Sequence, residues 1–366
     1  MTTTAPTGQE PWTPVKLRET SVTERAVFKK CRRQWLLSTV HRLETPGIHE
    51  NFWLGELLHT GLEAYYRHDM KIHGCRRREQ CREAQRAGVE AYDAAARLAT
   101  AEIKEDLGFL WSQVEEHWTA LDELGREVLL GYFRYDREEG GLGEVESVEQ
   151  RFRVRIPGTR GWLSLRIDLV TIARRLADQI RRTVIDHKSA AHKPNESMHD
   201  IDDQFTGYWW GYELATGLKV NRVLRNVLLK RPTRPPVLIK KGRALSIDKR
   251  APTTLELFLE AIRANGFDKR DYTDHLNYLA ARGWADFFVR QDTIRTRGQL
   301  NQFGLNLAHE WRDMVRVASH PELAYPNPSP LHCPSCPVRE LCASMMDETD
   351  TAGLIKSNYR IGPPRR

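Results

Sequence analysis

The sequence predicts an α/β (α+β) protein in which helices flank a mixed β-sheet core, with a large helical region before it and a cysteine-bearing segment after it. Three observations predict this class. Residues 21 to about 133 carry apolar side chains at helical intervals, and three stretches between 145 and 190 alternate apolar and polar residues. A helical stripe at 202–217 then precedes a fourth strand-like stretch at 221–230. Three strands, a helix and a further strand in that order give a mixed sheet with a helix packed on it.

The chain has 366 residues, 40% of them hydrophobic, enough for one elaborated domain or two ordinary ones. It contains no run of about 18 uncharged apolar residues, and "MTTTAPTGQEPWTP" lacks a basic segment followed by an apolar one. The expectation is a soluble, intracellular (cytoplasmic) protein with no membrane partner. Lys plus Arg number 56 against 49 Asp plus Glu, a formal charge of +7 that tilts the chain toward polyanions. The basic stretch "LLKRPTRPPVLIKKGRALSIDKR" (228–250) contrasts with an acidic one at 101–128, and a solvated surface accounts for either.

Taken in order, residues 1–20 read as a flexible N-terminus and 21–140 as a helical region containing Cys31 and His59. "SVTERAVFKKCRRQWLLSTV" (21–40) offers Ser21 or Thr23 as N-cap, with Glu24 close behind and Cys31 inside the helix or at its end. Leu54, Leu57, Leu58, Leu62 and Tyr65 form the stripe of the next helix. Glycines at 137–144 end the helical pattern. The core, with its helical additions, spans 141–320: strands at 145–156, 161–173 and 181–190, then a helix with Phe205, Tyr208, Trp209 and Tyr212 on one stripe until Gly217 stops it. A last long helix runs from about Leu300 to Ser319. Prolines at 321–330 stiffen the approach to a cysteine cluster (321–346), and 347–366 reads as a mobile tail.

The second and third strands carry the chemistry. Asp168 interrupts an apolar strand in "LRIDLV", and Asp186 and Lys188 in "TVIDHKSA" must share a face because strand side chains alternate. Asp168 joins them if the two strands are neighbours, although the link "RRLADQIRR" is longer than a tight hairpin. Two carboxylates beside an ammonium suit a hard cation such as Mg²⁺, which polarises a phosphodiester and acidifies the attacking water. The lysine then orients that water or offsets charge on the phosphate. On its own, D-x-K is a short motif that also arises by chance as a solvent-side pair.

The cysteines are Cys31, Cys75, Cys81, Cys333, Cys336 and Cys342. Without a secretion signal, ligation of a metal or cluster fits them better than disulfides do. "CPSCPVRELC" sets Cys333, Cys336 and Cys342 in C-x2-C-x5-C spacing, which zinc or an iron-sulfur cluster accepts.

"GELLH" (55–59), "RIDLV" (166–170), "IDHKSA" (185–190), "QFTGY" (204–208) and the cysteines, in that order, resemble the PD-(D/E)XK nuclease superfamily. The closest look is to its RecB-like branch, which includes AddB-type and CRISPR-associated iron-sulfur exonucleases. The resemblance covers about residues 20 to 345, with no recognised motif in 70–140 or 231–285. It implies a restriction-endonuclease-like core in which His59, Asp168 and Asp186 ligate Mg²⁺ or Mn²⁺ and Lys188 is catalytic. Gln204 and Tyr208, i, i+4 neighbours on a helix, contact phosphate or order the lysine. Gly55 is expected to clear space for the imidazole of His59. Two departures stand out: Ser189-Ala190 follows Lys188 where the family often has Thr-Gly, and Asp186 replaces the Glu of many relatives.

The resemblance also makes Cys31 the distant fourth ligand of a 4Fe-4S cluster with Cys333, Cys336 and Cys342, stapling the first helix to the end of the chain. Cys75 and Cys81 stay outside it with no ligand role. The function implied is a metal-dependent deoxyribonuclease, an exonuclease on DNA ends or single strands, acting in recombination, repair or phage DNA processing. No G-x4-G-K-[ST] loop is present, so any ATPase would come from a helicase or recombination partner. The basic 228–250 stretch and exposed aromatics would help track the strand. Two rivals share these features: a catalytically silent DNA-binding iron-sulfur subunit, and a zinc-stapled nuclease of RNA.

Overall fold

The computed structural model describes residues 13–71, 78–174, 179–195 and 201–362. The chain opens with β1 (Glu19–Ser21) and α1 (Val22–Lys30), whose N-cap Ser21 and Glu24 form a reciprocal capping box. Cys31, with extended backbone, ends α1 and caps α2 (Arg32–Gln34), and a π-helical turn Trp35–Val40 leads to β2 (Leu43–Glu44). Three long helices follow: α3 (Glu50–Lys71), α4 (Arg78–Leu107) and α5 (Trp111–Glu138).

The core is β3 (Glu144–Arg155), β4 (Trp162–Arg174), β5 (Ile180–Ala190), α6 (Asp203–Thr216) and β6 (Arg222–Leu229), the predicted order. A small ribbon, β7 (Leu238–Ile239) and β8 (Ala244–Leu245), precedes α7 (Leu255–Asn265) and α8 (Thr273–Arg282). The chain then forms β9 (Phe288–Thr293), α9 (Arg297–Ser319) and α10 (Arg339–Met346). The segment after Asp347, expected to be mobile, holds α11 (Thr351–Asn358) and β10 (Arg360–Ile361), which pairs with β2.

The six-stranded sheet runs β1-β4-β5-β6-β9, with β3 on the other side of β4. β4 and β5 are antiparallel neighbours from Arg174 opposite Ile180 to Leu169 opposite Ile185, although 175–178 of the link lie outside the described residues. Beyond that point β5 leaves β4, and β1 takes over the vacated edge, pairing in parallel from Glu19 opposite Trp162 to Ser21 opposite Ser164. The sheet therefore forks next to Asp168.

Two apolar layers cover the sheet. Leu54, Leu58, Leu62, Leu129, Tyr132 and Phe133 of α3 and α5 pack on Val148, Leu169, Ile185 and Leu228. On the other face, Phe205, Tyr208 and Tyr212 of α6 and Phe303, Leu307 and Trp311 of α9 pack on Leu165, Ile167, Val170 and Val184. α6 lies close against β4: a Cβ added at Gly211 would come within 1.8 Å of Leu165 Cδ1. A smaller cluster of Leu37, Leu43, Val338, Leu341 and Tyr359 joins the two ends of the chain.

Candidate active site

β3 and β4 change faces at one step. Leu163, Leu165 and Ile167 point to the α6 side, as do Phe152 and Val154 opposite them, whereas Val148 and Leu169 point to the α3 side. A regular strand keeps residues two apart on one face, so the pleat is inverted between them. The ladder pairs Val148 with Leu169 and Gln150 with Ile167 but leaves out Glu149 and Asp168 between them. Glu149 has φ +49°, a left-handed conformation that costs a β-forming chain about 1–2 kcal/mol. The inversion sits at the fork where β5 diverges, and it leaves Asp168 unladdered beside the end of the β4–β5 pairing.

Asp168 Oδ2 accepts the backbone N–H of His187 at 2.8 Å, tying it to β5 between Asp186 and Lys188. Continuing the β4–β5 register by one step sets Asp168 opposite Asp186. Lys188 Nζ bonds Asp186 Oδ1 at 3.0 Å. From α6, Gln204 Nε2 donates to Asp186 Oδ1 at 3.3 Å and to Tyr208 Oη at 2.7 Å, so this amide orders the carboxylate rather than the lysine. Asp202 caps α6 through the N–H of Gln204, which fixes the first turn that presents it. Asp186 is 1% exposed, and its Oδ2 has no hydrogen-bond partner among the described residues.

From α3, His59 Nδ1 lies 3.5 Å from Glu149 Oε1 and 3.6 Å from Asp168 Oδ2, and it too is buried without a hydrogen bond. The ligand atoms of His59, Glu149 and Asp168 lie within 4.8 Å of one another, close enough to hold one metal ion. The six residues named from the sequence thus meet at one place, and Glu149 is the addition. Gly55 does not clear space there, because a Cβ at that position would meet nothing within 4 Å. Glu149 also receives Arg166 Nε at 2.7 Å.

Electrostatics at the site follow from burial. Burial pushes the Asp186 carboxyl up to about 6 against the pull of Lys188, and raises that of Asp168 against His59. For His59, burial disfavours the cation, yet Asp168 and Glu149 outweigh it and lift the imidazole to about 9. Burial likewise opposes the Lys188 ammonium, and Asp186 and Asp168 hold it above its usual value. The Tyr208 hydroxyl is raised well above its usual value by burial, then by Asp186.

Behind β5, His187 points away from Asp186 into the α3 and α5 layer. Asn226 Nδ2 donates to His187 Nδ1 at 2.8 Å and to Tyr132 Oη at 2.9 Å, and Tyr132 meets Tyr66 at 2.6 Å. Tyr65 and Tyr66 bond Asp136, which Arg290 of β9 neutralises. The Tyr66 ring stacks on His187, and burial keeps that imidazole neutral.

At the far end of the chain, Cys336 lies within electrostatic reach of Cys31, Cys342 and Cys333, although burial is the main cause of its raised thiol pKa. Backbone N–H groups of Gln34 and Asn327 point at Cys31 Sγ, at 3.5 and 3.4 Å, and Ser329 N–H points at Cys333 Sγ at 3.3 Å. Among the described residues these thiols do not converge tightly enough to hold one ion, as His59, Glu149 and Asp168 do. Cys81 is buried on α4, and Cys75 lies outside the described residues.

No described helix is long and apolar enough to cross a membrane. No curated protein matches the chain significantly. A family model described as the PD-(D/E)XK nuclease superfamily matches residues 19–343, from β1 into α10. The restriction-endonuclease-like mixed sheet flanked by helices, expected from the sequence, is the fold observed. With that match over most of its length, and with both aspartates and the lysine gathered at the fork of the sheet, the chain belongs to the PD-(D/E)XK nuclease superfamily.

Proposed function

We propose that the protein is a divalent-metal-dependent DNA nuclease of the RecB-like branch, an exonuclease on DNA ends or single strands serving recombination, repair or phage DNA processing. The observation that carries the reading is the meeting of Asp168 and Asp186 at the fork, with Lys188 on Asp186 Oδ1 and Asp186 Oδ2 unpartnered.

The donor set fits a divalent cation. Neighbouring ligands of an octahedral ion at 2.1 Å stand about 3.0 Å apart and opposite ones about 4.2 Å. The 3.5 and 3.6 Å separations around His59 Nδ1 fall in that range. His59, Glu149 and Asp168 would hold Mg²⁺ or Mn²⁺, with Asp186 Oδ2 alongside, and the chemistry supplied is polarisation of a phosphodiester and acidification of the attacking water. Gln204 and Lys188 fix the Asp186 carboxylate. The Lys188 ammonium, charged at neutral pH, offsets negative charge developing on the phosphate. Tyr208 stays protonated and can donate to a phosphate oxygen.

We assign a 4Fe-4S cluster to Cys31, Cys333, Cys336 and Cys342. The three backbone N–H donors aimed at the sulfurs of Cys31 and Cys333 suit anionic thiolate ligands.

One experiment tests both assignments. Anaerobically purified protein is assayed for iron, sulfide, zinc and visible absorption, then incubated with end-labelled single- and double-stranded DNA and RNA plus Mg²⁺ or Mn²⁺. Cation-dependent DNA cleavage that falls at least about 100-fold in Lys188→Ala supports the enzyme. Binding without cleavage under every cation would instead make the protein a silent subunit of a nuclease or helicase complex. Zinc without a visible band would replace the cluster.

A further inference from the structure

The ribbon of β3 and β4 beyond the pleat inversion has one covered and one open face. Val154, Leu163, Leu165 and Ile167 turn inward, whereas Arg151, Arg153 and Arg155 are exposed and Trp162, Ser164 and Arg166 are half-buried on the other side. The register sets Arg151 opposite Arg166, Arg153 opposite Ser164 and Arg155 opposite Trp162. Like charges directly opposite each other destabilise a ribbon. Here they lie on the face that begins at Glu149 and Asp168.

The protein supplies few counter-charges. Arg166 has Glu149, and Arg153 has Glu19 at 3.0 Å with both side chains about half exposed. Among the described residues Arg155 hydrogen-bonds the carbonyl of Arg160 and has no ionic partner, and neither does Arg151. Arg153 and Arg155 stack on the Trp162 ring, 4.7 and 4.3 Å from its centre. From Asp168 to Trp162 the face runs about 20 Å at the usual rise per residue. By contrast, the basic stretch singled out in the sequence is partly spent within the fold. Arg234 pairs with Glu127, Arg250 with Asp248, Lys230 bonds Asn51, and Arg231 bonds the carbonyl of Arg250.

We propose that the open face of the β3–β4 ribbon is the track on which a single strand of DNA lies, phosphates on Arg151, Arg153 and Arg155 and a base against Trp162, leading into the Asp168–Asp186 fork. A single strand is the occupant because the indole on which Arg153 and Arg155 stack takes an unpaired base in their place when phosphates draw those arginines off, and duplex DNA exposes no such base. The proposal rests on the nuclease reading and names where its substrate binds.

The test is fluorescence anisotropy of labelled single-stranded DNA over a range of salt, with Asp186→Asn as the background so that nothing is cut. Adding Arg151→Ala, Arg153→Ala and Arg155→Ala together weakens binding at least tenfold and lowers the slope of log affinity against log salt by about 0.7 per lost phosphate contact. Adding Trp162→Ala weakens binding about tenfold with the slope unchanged. Trp162→Phe restores part of this affinity, which separates loss of the stacking surface from misfolding. Affinity and slope unchanged in the triple variant overturn the track, as does duplex DNA binding equally well with Trp162→Ala silent. The nuclease reading fails separately, if the wild-type protein cuts nothing with any cation.

Discussion

Glu149 faces Asp168 across a step at which β3 and β4 do not pair, and it does so with φ +49°. A carboxylate held there at a backbone cost, beside an unpartnered histidine nitrogen, makes Glu149 the residue to examine first. Glu149→Gln lowers Mn²⁺ affinity by about tenfold or more, read by electron paramagnetic resonance titration of the uncut protein. Glu149→Gly loses the same affinity but melts at a higher temperature than Glu149→Gln, because glycine accepts the left-handed backbone without strain. Equal melting temperatures would show that the inversion carries no strain.

The cation-free protein loses stability as pH rises. Asp186, raised from 3.8 to about 6, contributes stability that is full below pH 3.8 and lost as pH passes 6. His59, raised from 6.5 to about 9, contributes stability that is full below 6.5 and lost as pH passes 9. The Asp186 share is on the order of 3 kcal/mol. Differential scanning calorimetry in chelator therefore shows a melting temperature that falls from pH 5 to 9. Asp186→Asn raises it at pH 8, and Mn²⁺ protects more strongly at pH 8 than at pH 5. A Mn²⁺ effect independent of pH would separate these groups from the cation.

Asn226, fully buried, holds His187 and Tyr132 together. Asn226→Leu leaves both without that donor and lowers stability by about 2 kcal/mol in urea unfolding. Because His187 N–H fixes Asp168, the same variant lowers kcat while KM for DNA changes little. A change in KM alone would detach this network from the reacting groups.

Much of the core was readable because alternation forces it. Asp186 and Lys188 share a face by strand geometry alone, and α6 is observed at 203–216 against an expected 202–217. The meeting of Asp168 with Asp186 needed the β4–β5 register, which the long link did not reveal. Glu149 was missed because the apolar pattern gives no sign of it. The apolar positions Val148, Phe152 and Val154 of β3 and Leu163, Leu165, Ile167 and Leu169 of β4 keep strict alternation straight through the inversion, and the break between Val145 and Val148 belongs to a separate bulge before Ser147. The arginine face escaped because a charge run was sought along the chain, whereas these arginines sit at every second residue of one strand.

The α4–α5 hairpin carried no motif in the sequence, and none of the proposed ligands comes from it. Even so, Tyr132 and Asp136 of α5 stand directly behind β5, the strand of Asp186 and Lys188. An engineer who excised this hairpin to make a minimal enzyme would keep every reacting group and remove the wall against which β5 is braced.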